Sequence, residues 1–272
     1  MQKNGEKNML TKQDIFAFLE KMGIRHTDTV TIHAALRKVG EIENGADGLI
    51  DGLKEYLSEG LLLVPTHTWA NVNPKNPVFD VRSTVPCIGT LAKVAAFRKD
   101  GIRSLHPTHS MAAFGKNARA YIEGEEKSHT PAPVGGALSR LYDVGGKVLL
   151  CGVGHNRNTY LHSCEERIGV PNRLSEKPVA ATIRLLSGEI LSRPIRCHHA
   201  VGCGDVSAHY PKYEPAFRRA GAVTDGFLGD APAQFCDCVT MCRVMERIYL
   251  AHPGELCFDD EPLPEELLDC VL

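Results

Sequence analysis

The run Asn158-Thr159-Tyr160-Leu161-His162-Ser163-Cys164-Glu165 holds the side chains best suited to chemistry. His162 and Glu165 stand three residues apart, which on a helix puts them on one face within reach of each other. A carboxylate beside an imidazole selects its tautomer and stabilises the protonated ring, as a general base near neutral pH requires. Idle surface His–Glu pairs share this spacing, so spacing alone leaves both readings open. A second concentration is Arg103-Ser104-Leu105-His106-Pro107-Thr108-His109-Ser110, which leads into the small-residue strand Met111–Phe114. Guanidinium, hydroxyl and imidazole groups this close suit a phosphate or carboxylate, and equally a solvated loop. His33 opens a third, a loop with Gly40, Gly45 and Gly48 whose backbone N–H groups suit a pyrophosphate, although most such loops are only turns. The fourth, His198, His199, Cys203 and His209 with Cys197 and Asp205, offers the ligand types zinc prefers at a spacing that fits no familiar template. A zinc-binding hydrolase or metal-binding protein built on that cluster is therefore the alternative reading; the main one uses no metal.

The elements that must position these groups follow from periodicity. Thr11–Gly23 reads as a helix, with Thr11 as N-cap and Ile15, Phe18, Leu19 and Met22 on one face. Strand Thr29–His33, loop Ala34–Gly48, a helix from about Gly48 to Leu57 and strand Leu61–Pro65 make a βαβ unit with parallel pairing. Residues 66–86 form a long loop around the only tryptophan, Trp69, and long loops in compact domains usually serve function. A helical pattern covers Gly89–Arg98. Strand Lys147–Gly152 feeds a polar loop and the helix Thr159–Ile168, so His162 falls where open α/β sheets place ligands. Ala180–Leu186 and Glu189–Pro194 read as a hairpin, and Cys236–Ala251 as a last amphipathic helix. The expected class is α/β: a central, largely parallel sheet flanked by helices, with a smaller β-rich C-terminal portion. It is read as one domain over 1–272, with 1–10 disordered.

Composition narrows the partners. The 272 residues are 43% hydrophobic and 24% charged, the usage of a folded chain. A net charge of −2, with no run of five Lys or Arg, is a poor footprint for nucleic acid. No stretch approaches a membrane span, and the polar N-terminus lacks the apolar region of a signal peptide. Ten scattered cysteines then suggest reduced thiols and a cytoplasmic location.

HAALRKVG (33–40), EGLLLVPT (59–66), IRSLHPTHSMAAFG (102–115) and KVLLCGVGHNRNTYLHSCEE (147–166) resemble, in that order, the motifs of the antibiotic N-acetyltransferase family, the aminoglycoside 3-N-acetyltransferases and their relatives. The resemblance covers roughly residues 10–170. It implies an acetyl-CoA-dependent N-acetyltransferase acting on an amine of an aminoglycoside or similar small molecule, in the context of antibiotic resistance. By the same resemblance His162 is the general base, Glu165 its carboxylate partner, and Thr159 lies near the thioester, where a hydroxyl supports the developing oxyanion. The acetyl-CoA site it implies comprises His33, Ala34, Leu36, Arg37 and Val39, with Arg103, Ser104, His106, Ser110 and Phe114. Beyond residue 175 the resemblance thins, and roughly 175–235 becomes an insertion on the acceptor side. His67, Trp69, Asp80, His199 and Asp205 are the expected acceptor contacts. The partners implied are CoA and a small amine, with no nucleic acid or membrane and a homo-oligomer left open.

Two departures sharpen the expectation. Ala34 and Ala35 stand where the family has serines, which leaves Arg37 to meet the CoA phosphates by charge. In the loops 66–86 and 195–230, Asp80, Asp205, Glu214, Asp225 and Asp230 are matched by Arg82, Arg196, Lys212, Arg218 and Arg219. Such a surface gives little long-range attraction to a polycation. Aminoglycosides are expected to be modest substrates and a smaller, less cationic amine the better one.

Overall fold

In the strand Leu61–Pro65 every residue is buried, and successive residues feed opposite faces. Leu61 and Leu63 join one core; Leu62 and Val64 join the other. A strand apolar on both faces needs helices above and below it, and the computed structural model, which describes residues 9–253 and 261–269, supplies them. Its strands are β1 (Thr29–Ala34), β2 (Leu61–Pro65), β3 (Val78–Asp80), β4 (Ile102–Arg103), β5 (Met111–Phe114), β6 (Lys147–Cys151), β7 (Thr182–Arg184), β8 (Ile190–Ser192), β9 (Val223–Leu228) and β10 (Ala231–Asp237). The helices are α1 (Lys12–Lys21), α2 (Leu36–Val39), α3 (Gly45–Tyr56), α4 (Thr90–Phe97), α5 (Ala118–Ile122), α6 (Ala137–Asp143), α7 (Tyr160–Ile168), α8 (Glu214–Arg219), α9 (Cys238–Ala251) and α10 (Glu265–Asp269). Ile15 and Leu19 of α1, Leu49 and Leu53 of α3 and Leu91 of α4 cover one face of the sheet. Leu141 of α6, Leu161 of α7 and Met241 and Ile248 of α9 cover the other. Among the described residues no helix is long and apolar enough to cross a membrane.

The seven-stranded sheet has the order β4-β5-β2-β1-β6-β10-β9. The expectation of a largely parallel sheet is corrected here. Only β1–β2 and β1–β6 run parallel; the other neighbours, β2–β5, β4–β5, β6–β10 and β9–β10, are antiparallel. At the β9–β10 edge the reason is connection length. A parallel pair needs a crossover of a dozen residues or more, whereas Gly229-Asp230 alone joins β9 to β10. Gly229 sits at φ 57°, and a Cβ there would lie 2.2 Å from the carbonyl oxygen of Val39. β9 carries too little apolar alternation to stand out, and its Gly226 and Asp225 read as turn residues.

A second sheet, β3-β7-β8, has its own small core of Phe79, Ile183 and Ile195. The expected hairpin is its β7–β8 pair, and β3 arises inside the segment read as a loop. The N-cap Thr11 forms a capping box with Asp14. Of the ten N-terminal residues, 1–8 lie outside the described residues, and Leu10 pairs with Ile42.

Candidate active site

The three parallel strands set the site. β2, β1 and β6 end side by side at Pro65, Ala34 and Cys151, and the segments that follow them lie together at the carboxyl ends, where open α/β sheets place ligands. From β2 comes His67, from β1 His33, and from β6, by way of the 3₁₀ turn His155–Arg157, Thr159 and helix α7. Thr159 stands at the N-cap of α7 with no side-chain cap bond; its hydroxyl lies 3.5 Å from His33 Nε2 instead.

On α7 the spacing of His162 and Glu165 does bring them together, with His162 Nδ1 3.7 Å from Glu165 Oε2. That distance is too long for a hydrogen bond, and a third group closes the gap. The hydroxyl of Tyr210 lies 2.6 Å from His162 Nδ1 and donates to Glu165 Oε2 at 2.7 Å. With its proton committed to the carboxylate, the tyrosine oxygen accepts from His162 Nδ1–H. The lone pair of the imidazole is thereby on Nε2. Arg173 Nε donates to the other oxygen, Glu165 Oε1, at 2.7 Å, and both side chains of this pair are buried. Burial pushes the Glu165 carboxyl up, but the His162 imidazole and the Arg173 guanidinium outweigh it and hold the group below its ordinary value.

Local sequence explains how Arg173 returns. Gly169, at φ 78°, ends α7, and Asn172, at φ 56°, turns the chain back. The Asn172 side chain accepts from the Val201 N–H at 2.9 Å and donates to its carbonyl at 3.1 Å, while the His199 N–H donates to the Arg173 carbonyl at 3.0 Å. These clasps set His198 beside α7. Its ring stacks on His162 with centroids 3.9 Å apart and planes at 23°. His198 Nε2 lies 3.3 Å from Glu166 Oε1, and Glu166 also accepts from Thr130 Oγ1 at 2.5 Å and the Ala132 N–H at 2.8 Å.

More imidazoles follow. His109 lies 5.3 Å from His198 and 4.7 Å from His67, ring centre to ring centre, and 5.7 Å from His106. His106 Nδ1 accepts from the N–H groups of Thr108 and His109, leaving its Nε2–H to donate to the Thr130 carbonyl at 2.9 Å. Burial drives His33 and His106 down to about 4 and His67, His109 and His198 well below the usual imidazole value, so these rings are neutral.

The segment expected to hold CoA from the β4–β5 side is tied into the scaffold by hydrogen bonds of its own. The Arg103 guanidinium is 8% exposed and donates to the carbonyls of Thr84 (2.7 Å) and Thr66 (3.2 Å) and to Ser110 Oγ (3.2 Å). It also lies over the Phe79 ring at 4.9 Å, tying the small sheet to the large one. Ser110 Oγ bonds to Thr66, and Ser104 Oγ donates to Glu125 Oε2 at 3.3 Å and accepts the Met111 N–H. Phe114 is buried in the core against Gly101. On the β1 side, Ala34 and Leu36 are half-buried, Val39 is buried, and Arg37 and Lys38 are exposed on α2. Gly152, at φ 66°, lets α2 approach: a Cβ there would stand 3.0 Å from Lys38 Cβ.

The expected acceptor contacts are dispersed. His67 joins the imidazole cluster, Trp69 is 53% exposed and His199 is exposed. Asp80 pairs with Arg82 at 3.5 Å, and Asp205 caps the 3₁₀ segment Val206–Tyr213 by accepting from Ser207. The residues of the zinc alternative lie apart. His198 turns to His162 while His199 faces solvent, and among the described residues no group of three or more His, Cys, Asp or Glu side chains is arranged to hold a metal ion. Tyr210, Arg173 and Glu166 are not among the expected site residues. Tyr210 is 48 positions from His162, and no spacing links them.

Residues 31–249 match the family described as aminoglycoside 3-N-acetyltransferase. Aminoglycoside N(3)-acetyltransferase III of Serratia marcescens is 29% identical over 182 residues, covering 61% of this chain and 67% of that protein. For several other curated relatives the match covers 60–63% of their own length. Among solved structures, AAC-IIIb in its binary complex with CoASH superposes with a TM-score of 0.77 at 20% identity, covering 94% of this chain and all of that one. A histidine-to-alanine mutant of aminoglycoside acetyltransferase AAC(3)-IVa in complex with a gentamicin gives a TM-score of 0.75 at 21% identity and covers 98% of both chains. The fold is shared at that identity, and the match across most of the sequence settles the family: the chain belongs to the aminoglycoside 3-N-acetyltransferases.

Proposed function

We propose that the protein transfers the acetyl group of acetyl-CoA directly to an amine of an aminoglycoside-like small molecule, with His162 as general base. The observation that carries this is the buried series Arg173–Glu165–Tyr210–His162 at the carboxyl ends of the parallel strands. Arg173 fixes the carboxylate, the carboxylate orients the tyrosine hydroxyl, and the hydroxyl holds Nδ1–H so that Nε2 is presented to the acceptor. The amine nitrogen attacks the thioester carbonyl as Nε2 takes its proton. The C–S bond then breaks, and the leaving thiolate takes up that proton, so no acyl-enzyme forms. The Thr159 hydroxyl, unused as a helix cap, is the donor for the charge that develops on the carbonyl oxygen.

Chain segment 33–39 is the proposed holder of acetyl-CoA. The residues there suit it: Ala34 and Leu36 offer half-buried apolar surface beside His33 and Thr159, and Arg37 offers an exposed cation for phosphate. That AAC-IIIb was solved with CoASH and an AAC(3)-IVa mutant with a gentamicin supports the same pairing of ligands for this chain. The test is thiol release from acetyl-CoA with a panel of amines. Amine-dependent release that disappears in His162→Ala is expected; release in the variant equal to that of the parent sinks the reading.

A further inference from the structure

Residues 173–175 and 197–199 form a short antiparallel ladder in which Leu174 pairs with His198. The His199 N–H donates to the Arg173 carbonyl at 3.0 Å and the Ser175 N–H to the Cys197 carbonyl at 2.9 Å. This ladder delivers two side chains to α7: Arg173 reaches Glu165, and His198 reaches both His162 and Glu166. Positions 162, 165 and 166 lie three and four apart, so one face of the helix receives all these contacts. Arg173 already has a task in the orienting series; His198 has none.

A hydrogen bond tolerates tilts of some tens of degrees, so the Tyr210 oxygen fixes one atom of the His162 ring without fixing its plane. The His198 ring supplies that restraint, lying face to face with His162 at 3.9 Å between centroids and 23° between planes. Rotation of His162 about its Cβ–Cγ bond would drive its edge into that face. Tyr210 packs against the same ring edge-on, at 65°.

What the stack does for the proton depends on charge. A cation over the face of an uncharged aromatic ring is attracted to it, whereas two cations at this distance repel. His162 takes up a proton in the proposed step, so His198 helps only while neutral, and its surroundings keep it so. Burial and the facing His162 hold it well below the ordinary imidazole value. Glu166, the carboxylate that its Nε2–H meets at 3.3 Å, also accepts from Thr130 Oγ1 and the Ala132 N–H. His109, 5.3 Å from His198, and His67 and His106 beyond it are neutral as well, and Arg173 is paired with Glu165.

We propose that His198 is a positioning residue for His162: its uncharged ring, held by Glu166, fixes the plane of the base and supports the proton that the base takes up. This rests on the acetyltransferase reading above and adds a residue to it.

The test replaces the ring in two ways. His198→Leu keeps apolar volume without a flat face, and His198→Phe keeps the face without its nitrogens. Thiol release from acetyl-CoA with gentamicin as acceptor is followed against pH, and the titration of the His162 ring is read by NMR in the enzyme without substrate. His198→Leu should lower kcat roughly 2- to 30-fold, leave the KM for acetyl-CoA unchanged, and move both the acidic limb and the NMR midpoint about 0.4–1.5 units to lower pH, the range of one cation–ring contact. His198→Phe should recover most of both. Melting curves report whether each variant folds; should His198→Leu not fold, His198→Met, which also lacks a ring, takes its place. A folded His198→Leu enzyme with the parent's kcat and an unshifted His162 titration overturns the inference. So does a His198→Phe enzyme no better than His198→Leu, which would assign the effect to a His198 nitrogen. Absence of amine-dependent thiol release by the parent overturns the acetyltransferase reading instead, and the NMR titration then decides the His198 contact by itself.

Discussion

Replacing Tyr210 by phenylalanine isolates what the bridging hydroxyl does. The ring would keep its place, packed 5.1 Å from His162, and only the oxygen would go. Two contacts disappear with it: 2.6 Å to His162 Nδ1 and 2.7 Å to Glu165 Oε2. Hydrogen bonds to charged groups are worth about 1.5–3 kcal/mol each. The contact to His162 strengthens as the ring becomes a cation, so its loss falls on the transition state for proton transfer. At about 1.4 kcal/mol per factor of ten, kcat should drop roughly 10- to 150-fold. Acetyl-CoA affinity should be unchanged, because Tyr210 lies behind His162 and not on the 33–39 segment. The acidic limb of the pH–rate profile should move to lower pH, since the variant supports the protonated ring less well. The second lost contact leaves Glu165 Oε2 buried beside an apolar edge, costing about 1–3 kcal/mol of stability; for a chain of this size that lowers Tm by several degrees. Stopped-flow or steady-state thiol release over pH 5–9, with a melting curve at each pH, measures all three. A Tyr210→Phe enzyme with the parent's kcat and an unshifted acidic limb would show that the hydroxyl is structural only, and would refute the orienting chain.

His162→Ala should lose about 10²–10⁴-fold in kcat with little change in acetyl-CoA binding, the usual cost of removing a general base; single-turnover rates and a binding titration separate the two. Arg173→Met should leave Glu165 as an uncompensated buried charge, at a cost of about 3–5 kcal/mol in urea unfolding. Because the folded-state value of Glu165 is depressed below 4.5, its contribution is present above that pH and lost as pH falls through the depressed value, so the variant should lose part of the parent's acid sensitivity. Glu125 is the opposite case: burial raises it to about 7, so the stability it carries is full below 4.5 and declines as pH rises through 7. Glu125→Gln should therefore flatten the fall in urea midpoint between pH 5 and 8, and an unchanged slope would assign that fall to other groups.

The features legible in the one-dimensional chain are those that depend on near neighbours. The capping box at Thr11, the double-faced apolar strand Leu61–Pro65, the βαβ unit around β1 and the three-residue spacing of His162 and Glu165 are local facts, each set by periodicity or by side-chain reach. Family motifs carried further, to residues near the site. The RSLHPTHS motif reads as a ligand loop because its side chains are polar; folded, Arg103 and Ser110 also bond to the buried carbonyls of Thr84 and Thr66, and Ser104 to the Glu125 carboxyl. A one-dimensional pattern shows which groups can bond and not whether a backbone has already claimed them.

Relations between distant segments belong to the folded molecule alone. The antiparallel pairing of β9 with β10 follows from their short connection, whereas β5 and β10 return beside β2 and β6 only after long excursions of the chain that no local pattern foretells. Tyr210, Arg173 and His198 reach α7 through the turn at Gly169 and Asn172 and the clasp to Val201, contacts with no common period in the sequence. A side chain such as Glu165 accepts a partner from any part of the chain that folding brings within about 3 Å. The helix places the carboxylate beside the imidazole, and the packing of residues 169–213 over that helix holds and orients the pair.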